Sequence, residues 1–316
     1  MNYKAMNKVN SWSTYWNSTQ ALGTYGENVG KLGLPLELEN FWLNQFNHLS
    51  KNKISVLDVG TGNGVIPLIA LSSNNSNYFD ICAVDFAKIS PLTQITDRQR
   101  KNKLSKVSFY PETSVEDLPF SANNFDLITS NFAIEYADLS KALAEVYRVL
   151  NEKGKFVAVL HSNRGTTYKY SSEGVELFDR IFAGLGIENR LEKLILNKDN
   201  NRDVESKQLF NEILTLKNLK TTSEYQEWFV FYSKPIGQIC LALNRPDFSL
   251  DVINSLLKNF VSTAKLTVDR LKQQLAASET ENKITKLVQA INFRKIEVKP
   301  FSVRGSEEAI LLQCEK

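Results

Sequence analysis

Three glycines spaced two residues apart, with an aspartate ahead of them, are the part of the sequence best suited to holding a ligand. Gly60, Gly62 and Gly64 follow Asp58 at the end of the apolar segment 54–59. Glycine adopts positive φ without steric cost and lets another molecule approach the backbone closely. The helix expected next would point free N–H groups and its positive dipole end into the same space. We therefore expect a small ligand on this strand-to-helix turn; the alternative is a tight turn with no ligand.

The spacing of the glycines indicates what kind of ligand to expect. The dinucleotide fingerprint is G-x-G-x-x-G and places a helix N-terminus against a pyrophosphate, whereas this turn has G-x-G-x-G. Asp58 would repel a phosphate but suits a cationic amine. Thr61 and Asn63 stand between the glycines and belong to the same candidate binding turn.

A second acidic residue ends the next predicted strand, 79–85. Asp85 lies 21 residues after Gly64 (85 − 64 = 21), close to the separation at which a carboxylate accepts hydrogen bonds from a pair of ribose hydroxyls. Such charge-assisted hydrogen bonds are short and strong. The alternative is that Asp85 caps a helix. On the first interpretation, Phe86 would stack near an adenine.

The segment 114–120, SVEDLPF, follows a third predicted strand and carries a resemblance to a family. It is similar to the D-A-x-x-L-P-F segment of the ubiquinone-biosynthesis-type methyltransferases, which are also described as methyltransferase domain 11 or 25. The glycine turn resembles motif I of class I S-adenosylmethionine-dependent methyltransferases. The resemblance implies that S-adenosylmethionine is the cofactor, that S-adenosylhomocysteine is the product, and that Ser114 and Val115 lie at the adenine. Ser114 stands where the family has an aspartate, and a hydroxyl accepts a hydrogen bond more weakly.

The fourth and fifth predicted strands end in further candidate residues. Ligands of such sheets bind outside the carboxyl ends of the strands. The fourth strand, 124–131, ends at Asn131, so Asn131 and Phe132 are candidate cofactor contacts. The fifth strand ends at His161, which could act as a general base. The alternative for His161 is a hydrogen-bonded structural histidine.

The elements that position these residues predict an α/β fold. We expect a Rossmann-like seven-stranded sheet whose last two strands are antiparallel, with helices on both faces and a large helical insertion after strand five. The resemblance covers residues 54–162 without a gap. The predicted divisions are an N-terminal helical and aromatic flap, the cofactor-binding core, the helical insertion, and a closing β-hairpin: 1–53, 54–162, 163–291 and 292–316. An insertion of this length is rarely idle, so we expect it to be a lid or a dimer interface.

Aromatic residues are concentrated in the N-terminal segment, although it shows no clear helical period. Tyr15, Trp16 and Tyr25 are expected either to pack in the core or to close over the cofactor, as the N-terminal segment does in many relatives of the family. On the second interpretation, Tyr15 and Tyr25 contact the cofactor.

Two local patterns predict helix boundaries. A polar, basic helix is expected over 90–103, and Ser278–Glu281 has the spacing of a capping box that would start a further helix. The stretch 249–290 is amphipathic; its alternative interpretation is a coiled-coil tail.

Composition narrows the class of protein. The net charge of +3 in 316 residues gives no basic footprint for nucleic acid. We find no apolar window of membrane-spanning length and no secretory signal, so we expect a cytoplasmic protein without a membrane partner. Three isolated cysteines and two histidines make a metal site unexpected.

The expected function is methyl transfer from S-adenosylmethionine to a small-molecule acceptor beneath a helical lid, with a homodimer through the insertion as a further expectation. Methylation of RNA or protein, and a non-catalytic scaffold that binds the cofactor, remain alternatives. The sequence Ser130-Asn131-Phe132-Ala133 after strand four lacks the Asn/Asp-Pro-Pro-Tyr/Phe segment usual in nucleic-acid amino methylases. Nucleic acid is therefore not the expected acceptor.

Overall fold

The computed structural model describes residues 3–24, 29–49, 53–196, 201–245 and 247–316, with side chains from residue 11 onward except those of 306–308. The chain forms two compact units. The first comprises Met1–Tyr168 and Ala276–Lys316, and the second comprises Lys169–Leu275.

The first unit is built on a seven-stranded sheet in the order β3-β2-β1-β4-β5-β7-β6. The strands are β1 (Ile54–Val59), β2 (Phe79–Val84), β3 (Ser108–Tyr110), β4 (Phe125–Asn131), β5 (Leu150–His161), β6 (Arg294–Val303) and β7 (Ser306–Glu315). The first five strands pair in parallel, whereas β7 pairs antiparallel with both β5 and β6. The predicted fold class is confirmed.

Helices account for most of the remaining chain. They are α1 (Tyr3–Ser18), α2 (Leu36–Asn47), α3 (Val65–Ala70), α4 (Pro91–Gln94), α5 (Arg98–Leu104), α6 (Leu139–Val149), α7 (Thr166–Asp179), α8 (Ile187–Leu196), α9 (Arg202–Thr215), α10 (Ser223–Leu243), α11 (Leu250–Ala277) and α12 (Glu281–Ala290). Within the described ranges, no helix combines the length and the apolar character needed to cross a membrane.

Side chains of β1 alternate between two hydrophobic cores, one on each face of the sheet. Ile54 and Val56 pack with side chains of α2, α3 and α5, whereas Leu57 and Val59 pack with those of α6 and α12. Successive side chains of a strand point to opposite faces, so helices cover the sheet on both sides. This double burial explains why β1 carries apolar side chains on both of its faces.

The predicted helix over 90–103 is wrong, because it is broken into α4 and α5. Ile95 is buried and extended, with φ −81° and ψ 119°. Asp97 then starts a new helix, because its side chain accepts a hydrogen bond from the Arg100 backbone N–H at 2.8 Å. A buried side chain and a strong N-cap together outweigh the helical tendency of the polar run.

The capping box predicted at Ser278–Glu281 is also displaced. Thr280 is the N-cap of α12, and its hydroxyl accepts from the Lys283 N–H at 3.3 Å. Residue 279 cannot be helical, because Ser162 and Glu279 form a parallel β-bridge.

The last two strands are joined by the shortest common hairpin turn. Val303 pairs with Ser306, so Arg304 and Gly305 form a two-residue loop, with φ of 52° and 78°. Positive φ at both positions is the mark of a type I′ turn, which matches the twist of the flanking strands.

The second unit has a hydrophobic core of its own, formed by side chains of α7 to α11. Gly174 marks the closest packing, because a Cβ there would lie 2.6 Å from both Trp228 and Leu271. The unit lies entirely inside the predicted insertion of 163–291, whereas α12, which that range also includes, belongs to the first unit. The predicted domain divisions stay a prediction.

Candidate functional site

The glycine turn has the backbone shape that its spacing predicts. Gly60, Gly62 and Gly64 have φ of 70°, 53° and 87°. The N–H groups of Gly60 and Thr61 donate to the Val84 carbonyl at 2.9 and 3.1 Å, which fastens the turn to the end of β2. The turn is thus held between the carboxyl ends of two parallel strands, where ligands of such sheets bind.

Two of these glycines leave no room for a side chain. A Cβ on Gly60 would lie 2.1 Å from the Cβ of Ala133, in the loop after β4. A Cβ on Gly62 would lie 2.5 Å from the ring of Trp16 in α1. The loop after β4 and the N-terminal helix therefore both meet the glycine turn.

Asp58 is a buried carboxyl group with one oxygen in use. Thr129 Oγ1 donates to its Oδ1 at 2.8 Å, whereas no described residue makes a hydrogen bond to its Oδ2. Burial raises the pKa of Asp58 to about 7, and the charge of Asp85 adds to this rise. The hydroxyls of Thr61 and Thr129 act in the opposite direction, although Thr61 lies outside hydrogen-bond geometry. The free oxygen suits a cationic or hydrogen-bond-donating ligand.

Asp85 lies directly after β2 and ties three segments together. Its Oδ2 accepts from the Gly62 N–H at 2.7 Å, and its Oδ1 accepts from the Ala87 N–H at 2.8 Å. Burial raises the pKa of Asp85 to about 6, against the lowering effect of these two hydrogen bonds. Each carboxylate oxygen can accept a second hydrogen bond, so the group retains capacity for hydroxyl donors. Its bond to a residue two positions on forms a local turn, and no helix starts there until Pro91.

Asn63 fastens the N-terminal segment onto the turn. It is fully buried, and its Nδ2 donates to the carbonyls of Trp16, Thr19 and Ala21 at 3.3, 3.3 and 3.0 Å. Tyr15 is half-buried, with its ring centroid 5.0 Å from that of Trp16. Tyr25, the other predicted aromatic contact, lies outside the described residues.

The residues expected at the adenine lie at the edge of this site. Phe86 is 37% exposed, and the Ser114 Oγ accepts from the Glu116 N–H at 3.1 Å. Val115 is half-buried against the core on the α6 face of the sheet. The segment is tied to the end of β2, because the Thr113 N–H donates to the Asp85 carbonyl at 2.9 Å.

The loop after β4 connects the glycine turn to the fifth strand. Asn131 Oδ1 accepts from Trp42 Nε1 at 3.0 Å. Phe132 has φ of 54°, and its N–H donates to the Val159 carbonyl at 2.7 Å. Its ring centroid lies 4.7 Å from that of His161. The structure therefore brings Phe132 and His161 together.

A carboxylate that the sequence analysis missed holds His161. Glu135 Oε1 accepts from the backbone N–H of His161 at 2.9 Å and is 2.7 Å from its ring Nδ1. Both side chains are buried. Glu135 is four residues past the end of β4 and 26 residues from its partner, so only its position near a strand end could have suggested it.

One aromatic residue of α1, Trp12, was not among the predicted contacts. Trp12 and Trp16 lie one helical turn apart, with ring centroids 6.4 Å apart. Trp12 packs edge-on against Tyr136 at 5.5 Å, and Tyr136 packs against His161 at 5.8 Å. One face of α1 thus reaches both the glycine turn and the surroundings of His161.

The described residues suit an organic ligand with a cation and hydroxyl groups. The turn leaves no room for a side chain at Gly60 or Gly62, Asp58 offers an unpaired carboxylate oxygen, and Asp85 retains acceptor capacity. Among the described residues, no three His, Cys, Asp or Glu side chains are grouped so that they could hold a metal ion.

Comparison with known proteins identifies the class. The family model described as "Methyltransferase domain" matches residues 50–231, which is more than half of the chain. The chain belongs to the methyltransferase-domain family. The predicted class, an S-adenosylmethionine-dependent methyltransferase, is confirmed at the level of this family.

Relatives with curated descriptions are similar to only part of the chain. The ubiquinone/menaquinone biosynthesis C-methyltransferase UbiE of Rickettsia felis is 30% identical over 138 residues, which are 42% of this chain and 54% of that protein. The protein of the same description from Rhizobium rhizogenes is 28% identical over 156 residues, which are 49% and 56% of the two chains. The chain thus spans about half the length of the curated relatives it matches.

Among solved structures, phosphoethanolamine N-methyltransferase 2 of Haemonchus contortus in complex with S-adenosyl-L-methionine is 14% identical. It has a TM-score of 0.44, and the match covers 93% of this chain and 43% of that one. A putative S-adenosyl-L-methionine-dependent methyltransferase of Methanococcus maripaludis is also 14% identical, with a TM-score of 0.42 and coverage of 98% and 90%.

Proposed function

We propose that the chain transfers the methyl group of S-adenosylmethionine to a small-molecule acceptor. The observation that carries this proposal is the glycine turn after β1, closed against Ala133 and hydrogen-bonded through Gly62 to the buried Asp85. The descriptions of the curated relatives as C-methyltransferases of quinone biosynthesis support a small-molecule acceptor.

Each predicted site residue then has a proposed role toward the cofactor. Asp85 accepts from the ribose hydroxyls, and Asp58 faces the cationic part of the molecule. The backbone of the glycine turn, with Thr61 and Asn63, holds the centre of the molecule. The other proposed contacts, from the segments around the turn, are Tyr15, Tyr25, Phe86, Ser114, Val115, Asn131 and Phe132.

Methyl transfer from a sulfonium does not require the protein to form a covalent intermediate. The cofactor supplies a methyl group that is already activated by its attachment to a sulfonium. The residues of this chain have to place the nucleophile about 3–3.5 Å from the reacting carbon and to exclude water. His161 is proposed as the base for an acceptor that loses a proton.

The helical insertion is proposed as the lid that shapes the acceptor pocket, with a dimer interface as its alternative role. This proposal is supported by the place where the insertion begins and ends. The Glu279 N–H donates to the His161 carbonyl at 2.9 Å, and the Asn163 N–H donates to the Glu279 carbonyl at 3.1 Å. The start of the insertion and the residue that precedes α12 thus both lie next to the proposed base.

Cofactor binding by an Asp85→Ala variant tests the cofactor site. Because charged hydrogen bonds are lost, the affinity for S-adenosylmethionine should fall by about 10- to 100-fold, as measured by titration calorimetry. The matched control is Asp80→Ala on the same strand, since Asp80 is exposed and pairs only distantly with Lys53 at 3.8 Å. Unchanged affinity in Asp85→Ala would rule out the ribose assignment.

Single-turnover transfer from labelled cofactor to a metabolite extract tests catalysis. A labelled small molecule is expected. Binding without transfer to any acceptor would instead support a scaffold that only holds the cofactor.

A further inference from the structure

Glu135 is a buried carboxyl group that the proposed function does not use. It lies in the 3-10 turn Ile134–Tyr136 after β4, and its side chain has no exposed surface. Its Oε1 accepts from the backbone N–H of His161 and lies 2.7 Å from the ring Nδ1, whereas no described residue makes a hydrogen bond to its Oε2. A buried carboxyl group with an unused oxygen costs stability, so such a group calls for an explanation.

The two contacts to one carboxyl oxygen favour one tautomer of His161. The backbone N–H of His161 can only donate, so Glu135 Oε1 is an acceptor whatever the protonation state of the carboxyl group. The ring Nδ1 is 2.7 Å from the same oxygen, and with an ionised carboxylate, which can only accept, this contact requires a hydrogen on Nδ1. In the neutral imidazole this leaves Nε2 with the free electron pair.

We infer that Glu135 is a positioning residue that holds His161 with Nδ1 protonated, so that Nε2 takes a proton from the methyl acceptor. This inference rests on the proposed function. The electron pair of the acceptor's X–H bond forms the new bond to the methyl carbon, and the carbon–sulfur bond breaks with its pair left on sulfur. The proton goes to Nε2, and the Glu135 carboxylate stabilises the resulting imidazolium.

The surroundings of His161 support this role. The rings of Phe132 and Tyr136 pack against the imidazole at 4.7 and 5.8 Å between centroids, which limits access of water. Among the described residues, the titratable side chains recorded in contact with the imidazole are those of Glu135 and Tyr136. Glu279 also contacts His161, through its backbone, and its carboxylate is paired with Lys283. The loop after β4, which carries Glu135, also contacts the glycine turn through Ala133. His161 therefore lies at the edge of the proposed cofactor site.

The tautomer of His161 can be read directly, because the chain has only two histidines. We would label histidine with ¹⁵N and record long-range ¹H–¹⁵N spectra of the wild type, Glu135→Gln and Glu135→Leu. His48 is exposed on α2's C-terminal end and serves as an internal reference for folding. His161→Gln assigns the two ring systems.

The wild type should show His161 protonated at Nδ1. Glu135→Gln should keep this signature, because the amide oxygen must still face the two N–H groups while its NH₂ takes the place of Oε2. Glu135→Leu should lose it and give a tautomer mixture. A wild-type His161 protonated at Nε2, or an unchanged signature in Glu135→Leu, would overturn the inference.

Turnover separates failure of this inference from failure of the proposed function. Single-turnover transfer should slow by roughly 10- to 100-fold in Glu135→Leu and less in Glu135→Gln, with cofactor affinity unchanged in both. Equal transfer rates in all three proteins would contradict the positioning role of Glu135 but leave the proposed function standing. Absence of cofactor binding by the wild type would refute the proposed function itself, whatever the tautomer.

Discussion

Asp58 and Asp85 are buried carboxyl groups at the carboxyl ends of neighbouring strands, and burial raises the pKa of Asp58 to about 7 and that of Asp85 to about 6. An unfolded aspartate has a pKa of about 3.9. Between these values the folded chain binds more protons than the unfolded chain, so the free energy of unfolding falls as the pH rises. The two buried aspartates therefore lower the free energy of unfolding of the chain near neutral pH.

The Asp58→Asn variant tests this cost. Both proteins are neutral at position 58 below about pH 4, whereas above pH 7 only the wild type carries a buried charge. The variant should gain stability relative to the wild type as the pH rises from 4 to 8, by up to about 4 kcal/mol. Urea unfolding at several pH values measures the difference. Asp80→Asn, with its exposed side chain, should show no such trend, and a flat difference for Asp58→Asn would contradict the raised pKa.

At the scale of single residues, spacing alone located some partners and not others. Asp58, Gly62 and Asp85 were found because they lie at or just after strand ends, at recognisable intervals. Glu135 was missed because its partner is His161, 26 residues away, and their contact depends on the register of β4 against β5. No periodicity in a sequence encodes such a register.

At the scale of structural elements, the glycine turn and the loop after β4 are in close contact, and this contact bounds the site on one side. Gly60 needs both positive φ and the absence of a side chain, because its Cβ would collide with Ala133. The packing of the glycine turn against the loop after β4 thus depends on the absence of a side chain at Gly60.

Gly60→Ala should destabilise the first unit by roughly 2–5 kcal/mol, because left-handed strain adds to the overlap with Ala133. Gly305→Ala is the matched control: its φ is also positive, at 78°, but no atom of the described residues lies within 4 Å of its added Cβ. The control should cost only about 1–2 kcal/mol. Chemical unfolding measures the free energy of unfolding of both variants. Equal losses of stability would show that the overlap with Ala133 is relieved by a local shift.

The elements themselves were predictable to different degrees. Strand β1 and helix α6 have clear apolar patterns, and Asp138 caps α6 as its type suggests, accepting from the N–H groups of Ser140 and Lys141. Helix α1 has no such pattern, because its tryptophans pack against loops of the site as well as against each other. The break at Ile95 depends on tertiary burial, which local sequence does not record.

At the scale of the whole molecule, the chain consists of two units with separate cores. The second unit is one continuous segment, Lys169–Leu275, whose buried side chains come from α7 to α11. A continuous segment with its own core is expected to fold independently.

The fragment 169–275 should be helical and should unfold cooperatively on its own. Circular dichroism during heating measures both properties. Leu177 and Tyr232 are fully buried in this core, so Tyr232→Ala should abolish the unfolding transition. Val230 lies on the same helix and is 57% exposed, so Val230→Ala should keep the transition. A fragment without a cooperative transition would show that the core needs the rest of the chain.

The junction formed by Ser162 and Glu279 has a consequence for how such an enzyme could diversify. The two residues hold the ends of everything between β5 and α12 side by side, so the intervening segment can be replaced by another whose ends are equally close. The sheet, its strand order and the residues around the glycine turn would be inherited unchanged. On the proposed assignment, a lineage could then acquire a new methyl acceptor without reinventing its use of the methyl donor.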